Sequence, residues 1–213
     1  MNAITTNIVY FSRCICQHIL YVIYYMVKII AIGRCCRVST DMINMNLKCE
    51  TSLFEWVWSN TLTEINTIIQ KLINNQPIIV KRIDGNDYME DTNIKTCHYL
   101  KHNYSEIVKR RSKRFMNDIM NNTEILFIRD DLLGTITTSE IQMFFSIITG
   151  INPQLSFKML LLSDSKNFSC IDYPKLHHKI YDKSLYRTYI NECFYIEKNT
   201  KNTNTRDISD DES

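Results

Sequence analysis

Three short apolar runs, Lys28–Ile32, Glu124–Arg129 and Phe157–Leu162, alternate along the chain with longer segments whose apolar residues recur at offsets of three and four. Continuous runs of this length, without period-two alternation, are the pattern of strands buried on both faces. The intervening segments read as helices. In Thr63–Asn74, the residues Ile65, Ile68, Ile69 and Leu72 form one stripe, with Thr61 or Thr63 as cap and Pro77 as the break beyond. Ser105–Met120 aligns Val108, Ser112, Phe115 and Ile119, and Thr138–Thr149 is capped by Thr137 or Thr138 and stopped by Gly150 and Pro153. Val38–Leu47 is a further helix and Cys193–Glu197 a last strand. Buried strands separated by helices of about a dozen residues are the sequence form of a parallel sheet with helical crossovers. The expected fold is therefore α/β: a single three-layer domain with a mainly parallel central sheet and flanking helices.

The two ends fall outside this alternation. From Ile15 to Ile32 the chain is mostly apolar, but Gln17, His18 and Lys28 interrupt it, and burying those groups in hydrocarbon is costly. No small-x-small cleavage site follows, as a secretory signal would require. Residues 1–25 read as an appended apolar segment, the one route by which the chain would meet a membrane. Residues 26–197 read as the α/β domain, and 198–213 as a disordered polar and acidic tail. Ser209, followed by Asp210, Asp211 and Glu212, resembles an acidic-directed kinase site, though an inert solubilising tail is the simpler reading.

Composition narrows the function classes. With 25 Lys and Arg against 23 Asp and Glu in 213 residues, the chain lacks the cationic excess of a dedicated nucleic-acid binder. The basic run Lys109–Arg114 is then a solvated helix face before it is a grip for phosphate or an acidic partner. Eight cysteines are too few for a disulfide-built scaffold, and no CxxC spacing suggests zinc. His98 and His102 stand four apart, as metal ligands on a helix can, but no third ligand accompanies them. No metal and no cofactor is expected.

In a parallel sheet the functional crevice lies outside the carboxyl ends of the strands. Here those ends are Gly33-Arg34-Cys35-Cys36, Arg129-Asp130-Asp131 and Ser163-Asp164-Ser165. Cys36 falls at or just before a helix N-terminus, where free N–H groups and the macrodipole favour a thiolate, and Arg34 and Arg37 add positive potential. Against this stands the ordinary behaviour of free cysteine, which packs as a small apolar residue. Cys35 points another way and is expected to pack. Trp56 and Trp58 are expected in the core or a pocket wall, and His177 and His178 on the surface.

The block Ile30-Ala-Ile-Gly-Arg-Cys-Cys36, followed by Leu47-Lys48, Ser52-Leu-Phe-Glu-Trp56 and Ser59, resembles the opening of the papain-like cysteine peptidase family of bacteria and large DNA viruses, poxviruses included. That family opens with a strand, then SLGxxC, LR and PFDW. His102-Asn103-Tyr104 is similar to its His-Asp motif, Arg110–Phe115 to its RRxxRF helix and Ile125–Arg129 to its LFIR strand, so the likeness covers roughly residues 26–165. It implies Cys36 as nucleophile and His102 as base, with His98 the other histidine able to serve. Asn103 adjoins His102 and cannot easily orient it, so Asp130 or Asp164 is the better third member, with Asp130 favoured because it follows the matched strand. Gly33, Arg34, Trp56, Asn103, Arg129 and Asp164 are then the substrate-binding positions. The substrate would be a peptide or protein, a host protein for instance, in host cytoplasm, and the alternative fold is a papain-like α+β arrangement. Ala31, Leu53, Glu55 and Asn103 depart from the family pattern. Two other readings follow: a catalytically silent viral accessory protein that binds a host partner, and a Rossmann-like transferase. The transferase would hold a phosphorylated or nucleotide-linked substrate at Gly33–Cys36, with Arg129 and the basic helix as anion clamps.

Overall fold

A computed structural model describes residues 27–47, 50–96 and 103–193. Four strands, β1 (Lys28–Ala31), β5 (Glu124–Asp131), β6 (Ser156–Ser163) and β7 (Leu176–Ile180), form one sheet in the order β1-β5-β6-β7. Every pairing in it is parallel, with Ile30 opposite Phe127, Phe127 opposite Met159 and Leu161 opposite His178. The strands inferred from the apolar runs are therefore parallel, and their carboxyl ends share one edge.

Helices cover both faces, giving the three layers expected. On one face α2 (Leu62–Ile73), α3 (Tyr104–Asn121) and α4 (Thr138–Ile151) bury Ile65, Ile69, Phe115, Ile119 and Phe144 against Ile30, Phe127 and Phe157. Aromatic edges interlock there: the Phe127 and Phe144 rings meet at 5.1 Å, and those of Phe145 and Phe157 at 5.2 Å. On the other face α1 (Arg37–Asn44) and the helical residues 186–193 lay Val38, Met42, Tyr186 and Ile190 on Ile29, Ala31, Ile128 and Leu160. Helices and strands alternate through the main sheet rather than segregating, so the α+β alternative is not the arrangement adopted.

Local signals explain the boundaries. Thr61 and Thr137 each cap a helix through a complete capping box, with Glu64 and Glu140 returning the bond to the cap residue's N–H. Glu140 also accepts from the N–H and hydroxyl of Thr63, so one carboxylate joins the first turns of α2 and α4.

The structure adds a second sheet that the strand pattern does not predict. β2 (Val80–Ile83), β3 (Asn86–Met89) and β4 (Lys95–Thr96) are antiparallel, the first two joined at Asp84-Gly85 with φ of 48° and 78°. Two successive positive φ values at an Asp-Gly pair make the tight turn of a two-residue hairpin. The terminal strand expected at Cys193–Glu197 is corrected at its first residue, since Cys193 is helical; residues 194–197 lie outside the described residues, as do 1–26 and 198–213. Among the described residues no helix is long and apolar enough to cross a membrane.

Candidate thiol site

The loop after β1 is fixed from beneath. Arg129, on β5, is 0% exposed; its Nη1 donates to the carbonyl oxygens of Ile32 (2.9 Å) and Gly33 (3.2 Å) and to Ser59 Oγ (3.0 Å), and Nη2 to Ser59 O at 3.5 Å. Ser59 Oγ in turn donates to Gly33 O at 2.7 Å, and Ser59 N–H to Arg34 O. Burial pushes the Arg129 guanidinium down to about 10, which leaves it charged at neutral pH. Its expected role as an anion clamp or substrate contact is corrected, because these donors face the protein's own backbone. Gly33 is required by space: a Cβ there would come within 2.9 Å of Cys35 O.

From this base the chain turns into α1, with Cys36 as its N-cap residue at φ −72° and ψ −6° and no side chain capping the helix. The two thiols then part. Cys35 Sγ donates to Asp130 Oδ2 at 3.5 Å, and burial, seconded by the Asp130 charge, pushes this thiol up, away from thiolate. The Cys36 carbonyl accepts from Thr40, while its half-buried thiol has no hydrogen-bond partner among the described residues. Asp130 is fully buried: its Oδ2 also pairs with Arg37 Nε at 2.9 Å, and its Oδ1 accepts from Leu132 N–H. Burial raises its carboxyl pKa, with Arg37 opposing. Its oxygens are thus turned to Arg37, Cys35 and the backbone; His98 and His102 lie outside the described residues.

The Arg37 guanidinium stacks 3.5 Å from the Tyr181 ring centroid, and Tyr181 donates to Asp41 Oδ2 at 2.8 Å, tying α1 to the segment after β7. Burial and Asp41 hold the Tyr181 phenol at about 12. Arg34 is 6% exposed, with its guanidinium 5.5 Å from the Trp58 ring centroid. Trp58 is 45% exposed and so not part of the core, while Trp56 is half-buried at a φ of 63°. Asn103 is exposed and precedes α3 without capping it through its side chain. Asp164 is absorbed in a turn, its Oδ1 accepting from Lys166 N–H at 2.9 Å. In the basic helix, Arg111 donates to Glu55 O and Arg114 to Thr51 O, so two of its five cations hold the loop at 50–55.

Sequence reasoning missed His178. Its Nδ1 accepts from Ile171 N–H at 3.2 Å, which places the ring proton on Nε2, 2.7 Å from Ser163 Oγ. The imidazole therefore donates to Ser163 and cannot be its base, and the residue is half-buried against Phe168 rather than a surface group. Burial lowers its pKa below the ordinary 6.5. The unfolded chain then takes up this proton first, so the stability present above the ordinary value is lost as pH falls through it towards the folded one. Between about pH 7.5 and 5.5 the urea midpoint of the wild type should fall more than that of His178→Gln. Equal changes in the two proteins would contradict the assignment.

Among the described residues no group of three or more His, Cys, Asp or Glu could hold a metal ion. Comparison with protein-family models, with curated proteins and with solved structures yields no match.

Proposed function

We propose that the chain is a cysteine hydrolase of the papain-like peptidase kind, with Cys36 as nucleophile and a peptide or protein as substrate. The observation that carries this reading is the division of labour between adjacent thiols. Cys35 is committed to Asp130, whereas Cys36 stands uncommitted at the uncapped start of α1, on the carboxyl edge of a parallel sheet. That edge is where α/β sheets place their chemistry. In the proposed reaction the Cys36 sulfur forms a C–S bond to an acyl or isopeptide carbonyl carbon. The bond to the leaving amine breaks as His102 returns to it the proton taken from the thiol. Water, deprotonated by the same imidazole, then cleaves the thioester and restores Cys36. Asp130 is a positioning residue in this scheme: through Arg37 it holds the first turn of α1.

An activated acyl ester tests the reading without knowledge of the natural substrate. Wild-type protein mixed with p-nitrophenyl acetate should release a burst of about one nitrophenolate per chain, with acetyl on Cys36 by mass spectrometry. Cys36→Ala should abolish the burst and Cys35→Ser should keep it. A burst that survives Cys36→Ala overturns the proposal.

A further inference from the structure

Two arginines are buried at the same loop, and they differ in how many of their donors are met. Arg129 spends both Nη groups on Ile32, Gly33 and Ser59, and its Nε alone is without an acceptor. Arg34 is equally hidden, at 6% exposure, yet its Nε and Nη1 have no acceptor. No ion pair joins it to a described carboxylate: Asp130 is taken by Arg37, and both oxygens of Asp131 accept backbone N–H groups of residues 135 and 136. The face of Trp58 gives partial compensation, and its ring is itself half in solvent. A guanidinium cannot shed its charge at any ordinary pH and offers donors only. A buried charge without a paired carboxylate is a standing cost to the fold, and an acceptor from outside would offset it.

We propose that Arg34 binds an oxyanion, a carboxylate or phosphoryl group, and that the substrate of the thiol site carries this group. The second clause rests on the hydrolase reading; the binding of an anion does not. Arg34 precedes Cys36 by two residues on a loop whose backbone is pinned at Gly33 and Ser59, so the anion and the reacting carbonyl would be held against one rigid frame. Trp58 supplies an aromatic face beside the planar guanidinium, whose fork suits a two-point contact.

The test uses the full chain and two probes, inorganic phosphate and succinate, followed by tryptophan fluorescence and thermal midpoint. One or both should shift the emission and raise the midpoint in a saturable way, and the stronger probe identifies the anion class. Arg34→Met should weaken that response about tenfold or more, the loss expected when a charge-assisted contact is removed. Its own midpoint, without probe, should match or exceed that of the wild type, because the substitution removes an unpaired buried charge and keeps the apolar stem. Cys36→Ala should bind the probes as the wild type does, so failure of the hydrolase reading leaves this result standing. No response to either probe, a response that survives Arg34→Met, or a midpoint lowered by Arg34→Met would each overturn the proposal.

Discussion

Arg129→Ala is expected to lower the free energy of unfolding by about 3–5 kcal/mol, read as a fall in the urea midpoint, from the buried acceptors it strands and the cavity it leaves. The fully buried side chain joins three segments distant in sequence, the ends of β1 and β5 and the loop at Ser59. Its removal strands the Ile32 and Ser59 carbonyls away from water, each at about 1–3 kcal/mol, and leaves a cavity. Lysine is not an adequate replacement, because a single ammonium on a straight stem cannot reproduce the fork that reaches Ile32, Gly33 and Ser59. A loss below about 1 kcal/mol for Arg129→Ala would show that the loop is held by other means. The contrast with Arg34→Met is a direct consequence of partners: two buried guanidiniums on one loop, opposite expected effects on stability.

The parallel sheet was legible because β1, β5 and β6 are buried on both faces. Ile29, Ile30, Leu126, Phe127, Leu160 and Leu161 alternate between the two core clusters, so each strand reads as an unbroken apolar run. β7 was not legible for the converse reason. As an edge strand paired only with β6 it carries His177, His178 and Lys179, and its polarity resembles a loop. The antiparallel sheet has a signal that periodicity passes over: Asp84-Gly85 between Val80–Ile83 and Asn86–Met89 is a two-residue turn in plain text. Helix α3 was predicted nearly in full, since Val108, Ser112, Phe115 and Ile119 are all buried on it.

At the site, strand topology predicted which loops meet, while side-chain commitments were beyond its reach. Cys36 at a helix start and Cys35 turned elsewhere both follow from adjacency and from the residues that precede α1. That Asp130 would face Arg37 and Cys35, and that Arg129 would turn inward while Arg34 kept free donors, depends on packing among segments about 25 to 100 residues apart, which no local pattern encodes. Ser59 illustrates the point: the family resemblance includes it without a role, and it is the link between Gly33 and Arg129. An arginine opening the helix after β1 and an aspartate near the end of its parallel neighbour β5 is the signal that could have been sought.

The central claim, that Cys36 is the reactive thiol of this edge, is tested most directly by competitive alkylation. The intact protein is treated with a limiting amount of iodoacetamide near neutral pH, and the rates at Cys35, Cys36, Cys170 and Cys193 are read by mass spectrometry. Cys170 is exposed and serves as the internal standard for an ordinary thiol, while Cys193 is buried and pushed up to about 12. Cys36 should label about tenfold or more faster than Cys170, as an activated thiol does, with Cys35 and Cys193 slower than both. Labelling of Cys170 as fast as Cys36 would contradict the account.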